Sequence, residues 1–151
     1  MSEIPTVFKL DKHPTKDIND SHVNGSLTVI WRDYDDLIKT ELKMAYVSSV
    51  NSGEIKGPHL HKLRDSYFTC IHGKVIFIIK TNDGFKEIEA DSENPVMVFV
   101  PKNFSSAHIN VSDTTSRILT LTNIAWRPND NEMENVEFSD YDWSKWNNMH
   151  S

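Results

Sequence analysis

Cysteine is nearly absent from this chain of 151 residues, in which Cys70 stands alone. A single cysteine cannot form an intrachain disulfide, and this favours a reducing compartment, so we expect a cytoplasmic protein. No apolar run is long enough to cross a bilayer. Residues 1–14 also lack the apolar segment of a secretory signal. The sequence therefore predicts no association with a membrane.

A basic surplus is also missing. The chain has 16 Lys and Arg residues against 22 Asp and Glu residues, a net charge of −6. Nucleic-acid binders usually carry the opposite balance, so we expect no nucleic-acid partner. With 38% hydrophobic and 25% charged residues, the composition is that of a soluble globular protein. The length suits one domain covering residues 1–151.

Helical periodicity is the third absence, because apolar residues come in short bursts that polar, Gly and Pro residues separate. Many short strands at regular spacing are typical of a β-sandwich or barrel. The predicted strands cover residues 7–10, 26–32, 42–50, 66–71, 74–80, 85–90, 95–100, 107–111 and 117–123. The run 74–80 is apolar on both faces, so it should lie inside a sheet with both faces covered. The fold class is therefore predicted to be all-β.

A paired histidine is the most informative motif. Successive side chains of a strand alternate, so His59 and His61 should point to the same face. Gly53 precedes the pair by six residues, and Gly73 ends the next strand. This spacing resembles the first cupin motif, and residues 101–106 resemble the second.

The resemblance covers about residues 24–124. It implies a double-stranded β-helix, the jelly-roll barrel of cupins, with the histidines in its pocket. Residues 129–151 form a C-terminal extension, acidic and aromatic, which we expect to be a short helix or a loop packed across the barrel.

Metal-binding cupins hold their ion with both histidines of the motif, a following Glu and a His of the second motif. Here the Glu positions hold Asp65 and Ser66, and the second-motif position holds Ser106. Catalytic metals usually have at least three protein ligands, so we expect no metal and no other cofactor. Asp65 and His108 could complete a metal site only if the barrel shifts register. A metal-dependent oxygenase is accordingly the least favoured reading.

Two segments resemble the RmlC-like branch of cupins, the nucleotide-sugar 3,5-epimerases and 3,4-ketoisomerases. Residues 56–62 (KGPHLHK) are similar to the Arg-Gly-x-His-Ala-His-Lys of the ketoisomerases, and residues 24–27 (NGSL) to their Arg-Gly-Ser-Leu. Tyr46 falls where those enzymes carry a pocket tyrosine. Residues 92–95 and 121–123, followed by Pro128 and Glu132, resemble the later part of the dehydrorhamnose epimerases. Their acid tyrosine before the proline is absent here.

The resemblance implies an isomerase acting on a dTDP-linked 4-keto-6-deoxy sugar, a 3- or 3,5-epimerase, in the synthesis of surface polysaccharide such as lipopolysaccharide. A 3,4-ketoisomerase is the close alternative. A non-catalytic sugar-binding cupin is the contrasting one. The resemblance also implies a homodimer, in which the N-terminal strand at residues 6–10 covers a sheet edge.

Either isomerisation needs a base that titrates near neutrality, which histidine supplies. We predict His59 as the base, with His61 as its partner or second acid/base. Tyr46 is the candidate acid, and the alternative, which is the more common role for such a tyrosine, is a core aromatic with a satisfied hydroxyl. Lys62 is the candidate for stabilising the enolate.

The remaining candidates concern substrate binding. Lys56 and Arg64 could bind the diphosphate, while Lys62 and Arg64 could instead be plain solvated charges. His108 should face inward and, with Asn110, contact substrate. Asn110 could alternatively complete hydrogen bonds of the second motif.

The C-terminal extension offers two further roles. Asp142 could orient an imidazole, as the epimerases' C-terminal aspartate does, or be a solvated charge. Trp143 and Trp146 are expected to serve packing or dimerisation rather than stacking on the base of a nucleotide.

Overall fold

Twelve strands and one short helical turn make up the computed structural model, which describes residues 3–146. In chain order, the strands are β1 Thr6–Lys9, β2 Asp11–Lys16, β3 Val23–Val29, β4 Met44–Val50, β5 Ile55–His61, β6 Ser66–His72, β7 Lys74–Thr81, β8 Gly84–Asp91, β9 Val96–Val100, β10 Ser106–Asn110, β11 Ser116–Thr122 and β12 Met133–Asn135. Within the described part, no helix is long and apolar enough to cross a membrane.

Two five-stranded antiparallel sheets face each other, and their strands come from both halves of the chain. The first has the order β1-β9-β6-β11-β4 and the second the order β12-β5-β10-β7-β8. Their inner faces share one apolar core: Val50, Cys70, Val75, Phe77, Ile79, Ile88, Ala90, Val98, Val100 and Ile118. This arrangement confirms the predicted all-β jelly roll.

The strand β7 is buried on both sides, as its composition predicts. Its inward residues belong to the core between the sheets, while Ile76 and Ile78 face outward. The outward side is covered by the C-terminal segment through Phe138, Tyr141, Trp143 and Trp146. The two tryptophans therefore pack against the barrel, as predicted, and the helical part of the segment is one 3-10 turn, Trp143–Trp146.

Two elements lie outside the sequence prediction. The hairpin of β2 and β3 forms a separate two-stranded sheet, and β3 begins at Val23 rather than at residue 26. The short strand β12 pairs with β5 at the edge of the second sheet. Both elements are largely exposed, so neither has the apolar alternation that reveals a half-buried strand.

We expect the protein to form a dimer. The strand β1 pairs with β9 along one side, and it forms one edge of the first sheet while β4 forms the other. Val47 of β4 and Leu27 of the hairpin add exposed apolar side chains. Light scattering at micromolar concentration should therefore give twice the monomer mass. A stable monomer would contradict the prediction.

Candidate active site

An irregularity in β5 sets the direction of the side chains around the histidine pair. Ser106 of β10 pairs with His59, but His108 pairs with Lys56, so β5 has two residues where β10 has one. Gly57 lies in this bulge with φ of 90°. A Cβ atom there would lie 2.8 Å from the carbonyl oxygen of Ser106, so this close approach requires glycine.

The two histidines point into the barrel from the second sheet. His59 lies beside Ser106, which in turn pairs with Ile79 of the apolar core. Residues paired across a sheet share one face, so His59 faces inward, and His61 follows it by alternation. The predicted convergence of the pair on one face is what the structure contains.

Each imidazole contacts a hydrogen-bond acceptor from the end of the chain. The Nδ1 atom of His59 lies 2.9 Å from Oδ1 of Asn135, in β12. The Nδ1 atom of His61 lies 2.7 Å from Oε1 of Glu132, just before β12. Each Nδ1–H donates to its oxygen, so each ring keeps its Nε2 lone pair for another partner. The sequence analysis noted Glu132 only as a point of resemblance and overlooked Asn135.

The carboxylate of Glu132 is buried and surrounded by donors. Its Oε2 atom accepts from the backbone N–H groups of Leu63 at 3.3 Å and Arg64 at 3.1 Å. Burial acts to raise the pKa of Glu132, but the hydrogen bonds from His61 and from the two N–H groups outweigh it, so the pKa lies below its ordinary value. Glu132 is therefore ionised at neutral pH.

The predicted diphosphate ligand Arg64 is not available at the surface. Its side chain is buried, with Nε 3.8 Å from Oε1 of Glu132. The guanidinium therefore balances the charge of the buried carboxylate, and its role in gripping the diphosphate stays a prediction.

His61 is held as a neutral imidazole. Burial lowers the pKa of His61, and the hydrogen bond and charge of Glu132 offset only part of this effect. The nearby charges of Arg64 and His59 add to the lowering. At neutral pH His61 is thus an unprotonated base beside a carboxylate.

His108 faces the interior from β10, as predicted. It pairs with Phe77, and its ring lies 5.2 Å from that of Phe77 and 6.4 Å from that of Phe68, measured between centroids. Its Nε2 atom is buried and has no hydrogen-bond partner in the described part of the protein. Burial, with the charges of Lys56 and His59, lowers the pKa of His108 to about 4.

Tyr46 and Lys56 lie on the inner faces of the two sheets, and Lys56 remains exposed to solvent. Tyr46 lies four residues before the core residue Val50 on β4, which places it on the inner face of the first sheet. Lys56 shares the inner face with His108, its partner across the two strands. Of the three basic residues predicted to bind substrate, Lys56 alone has this placement.

The structure places Lys62 on the outside. Its Nζ atom lies 3.6 Å from Oε2 of Glu134, whose register partner is Leu60. Leu60 alternates with the two histidines and faces outward. This placement does not support the prediction that Lys62 stabilises an enolate or binds substrate.

Asn110 is fully occupied by the protein itself. Its Nδ2 donates to the carbonyls of Val50 at 2.8 Å and Thr114 at 2.7 Å, and its Oδ1 accepts from the N–H and hydroxyl of Ser112. These contacts match the alternative predicted for Asn110, that it completes hydrogen bonds of the second motif, and they use all of its side-chain donors and acceptors.

Asp142 does not orient an imidazole. It is exposed and accepts hydrogen bonds from the backbone and hydroxyl of Ser144, away from β5. The structure assigns the orienting contacts to Glu132 and Asn135 instead.

Asp65 joins two other segments of the chain by hydrogen bonds at one end of the barrel. Its carboxylate accepts from the backbone of Lys102 at 2.8 Å and from Nδ2 of Asn123 at 3.2 Å.

A cavity of about 860 Å³ opens beside Asp65, and its lining includes Lys80 and Lys102 but neither histidine of the pair. Among residues 3–146, the one group with metal-binding spacing is Asp17, Asp20 and His22, in the turn between β2 and β3.

The fold and site together define a small cupin with an oriented pair of histidines. Residues 8–143 match the family described as FdtA: WxcM-like, C-terminal. The chain belongs to this family. No curated protein sequence matches it.

Solved structures with the same fold include three sugar-modifying enzymes. A dTDP sugar isomerase from Desulfovibrio desulfuricans G20 has a TM-score of 0.78 at 15% identity, covering 93% of this chain and 90% of that one. QdtA, a sugar 3,4-ketoisomerase from Thermoanaerobacterium thermosaccharolyticum in complex with TDP, has a TM-score of 0.70 at 18% identity. The match covers 97% of this chain and 93% of QdtA. NovW, a 4-keto-6-deoxy sugar epimerase from Streptomyces spheroides, has a TM-score of 0.71 at 15% identity. The match covers 89% of this chain and 70% of NovW.

The burial of His108 predicts a pH-dependent stability. The pKa of His108 is about 4 in the folded protein and 6.5 for an ordinary histidine, the value expected in the unfolded chain. At pH values between these two, the unfolded chain therefore binds more protons than the folded protein. The stabilising effect is complete above pH 6.5 and is lost as the pH falls towards 4. Urea unfolding at about pH 7 and about pH 5 should show wild type losing roughly 2 kcal/mol more than His108→Gln. Equal losses in the two proteins would contradict the burial of a neutral imidazole.

Proposed function

We propose that the protein is a nucleotide-sugar isomerase acting on a dTDP-linked 4-keto-6-deoxy sugar. The observation that carries the proposal is the pair of inward imidazoles, each donating Nδ1–H and each keeping an Nε2 lone pair. Family membership and three solved structures, of a dTDP sugar isomerase, a 3,4-ketoisomerase and a 4-keto-6-deoxy sugar epimerase, support the same class of substrate.

Both reactions begin with the removal of one proton from carbon. The carbonyl at C4 acidifies the C3–H bond, so a histidine Nε2 can take that proton. The C–H electron pair becomes the C3=C4 bond, and the carbonyl electrons move to O4, giving an enolate. Returning the proton to the other face of C3 inverts that centre. Moving the O3 hydroxyl proton to O4 and returning the first proton to C4 shifts the carbonyl to C3 instead.

The two outcomes differ in which atom is reprotonated. A 3,5-epimerase would need a second protonation at C5, and Trp126 and Arg127 stand where the epimerases have their acid tyrosine. We therefore propose chemistry at C3, as a 3-epimerase or a 3,4-ketoisomerase. Tyr46 is the candidate acid, since it lies on the inner face of the opposite sheet.

Solvent exchange tests this function. In D₂O, wild type should introduce deuterium at C3 of a dTDP-4-keto-6-deoxy sugar, with slow or no exchange at C5, as NMR would show. Inversion at C3 would identify an epimerase, and appearance of a 3-keto product would identify a ketoisomerase. Binding of the nucleotide sugar without any exchange would instead favour the sugar-binding cupin.

Lys56 and Lys62 form a matched pair for testing nucleotide binding. Lys56→Ala should weaken dTDP binding by about tenfold, the size of one charge-assisted hydrogen bond, with the saturated rate nearly unchanged. Lys62→Ala should leave binding unchanged, because its ammonium lies beside Glu134 on the outside. Calorimetric titration with dTDP would measure both. Equal weakening by the two variants would contradict the assignment of Lys56.

A further inference from the structure

Glu132 is the most tightly fixed group near the histidine pair. It is 4% exposed, and three N–H donors converge on its carboxylate. The two backbone donors of Leu63 and Arg64 fix Oε2, which leaves Oε1 directed at His61. The three contacts together hold the plane of the carboxylate.

This geometry determines where the ring proton of His61 lies. An ionised carboxylate only accepts hydrogen bonds, so Nδ1 of His61 must carry the proton. The lone pair is then on Nε2, the ring atom that can take a proton from a substrate. When Nε2 becomes protonated, the adjacent negative charge stabilises the imidazolium.

His59 has the same tautomer but a different partner. Asn135 is exposed, and its amide oxygen carries no net charge. A hydrogen bond to an ionised acceptor is roughly twice as strong as a neutral one. Gaining a proton is therefore better supported at His61 than at His59.

We propose that Glu132 is a positioning residue that makes His61, rather than His59, the group that takes the proton. His59 then remains neutral and contacts the substrate through Nε2. This rests on the proposed function, and it changes the role that the sequence analysis gave to His59. Three groups act on His61: Glu132 from the segment before β12, Arg64 from the loop after β5, and His59 on β5 itself.

Glu132→Gln tests the tautomer directly. The backbone N–H groups of Leu63 and Arg64 require an oxygen at the Oε2 position, so the new NH₂ group must face His61. It can only donate there, so Nδ1 of His61 should lose its proton and Nε2 should gain it. Ring-nitrogen NMR at neutral pH should show Nδ1–H in wild type and Nε2–H in the variant.

The same variant should lose activity while keeping its affinity. Turnover should fall by roughly 10²- to 10⁴-fold, the contribution of a positioned base, with KM little changed. The acidic limb of the pH–rate profile should move to lower pH, because Glu132 raises the pKa of His61. Glu134→Gln is the matched control. It lies in β12 beside Lys62 on the outer face, and both the tautomer and turnover should match wild type.

The roles of the two histidines can be distinguished by the same deuterium-exchange assay. His61→Asn should abolish exchange at C3, and His59→Asn should retain measurable exchange. Loss of exchange in His59→Asn alone would overturn the proposal, as would Nε2–H at His61 in wild type. The wild-type NMR spectrum shows which ring nitrogen of His61 carries the proton, even if Glu132→Gln does not fold. If wild type exchanges no 4-keto sugar, the proposed function fails, while an observed flip of the tautomer would still establish the positioning contact.

Discussion

The extra residue of β5 between Lys56 and His59 is the constraint on which the candidate site depends. Side chains of a regular strand alternate, so residues three apart would face opposite sides of the sheet. The bulge removes one step of this alternation, and Lys56 then faces inward together with His59 and His61. Gly57 permits it, since any side chain there would meet the carbonyl oxygen of Ser106. One backbone irregularity thus gives a single wall of the barrel a cation and two imidazoles.

Burial explains which strands the sequence could predict. The run predicted at residues 74–80 is observed as Lys74–Thr81, and its side chains from Val75 to Ile79 are almost completely buried. Exposed strands have no such signal, so β2 and the edge strand β12 escaped prediction, and β3 was predicted only from residue 26. Their positions depend on pairing with distant strands rather than on local composition.

The site residues also divide into those that local sequence patterns predict and those that depend on distant parts of the chain. The spacing of His59 and His61 predicts their shared face because alternation is a local property. The acceptor of His61 lies 71 residues away in the sequence, in an exposed segment with no periodic pattern. Resemblance pointed to Asp142 for this role, but that residue lies in the segment packed on the outer face of the barrel. Alternation from His61 places Lys62 on the outside, as observed, but it would place Arg64 there too, whereas Arg64 is buried beside Glu132, a position that spacing could not predict.

The edge strand β12 covers only part of β5. It pairs with β5 only from His59 to His61, so the part of β5 near Lys56 is left uncovered by it. Lys56 lies three residues from His59, about 10 Å along a strand before the bulge shortens it. In a protein of net charge −6, an anionic group is attracted locally to this inward lysine rather than to the molecule as a whole. The proposed substrate would therefore place its diphosphate at the Lys56 end and its keto sugar beside the two oriented imidazoles.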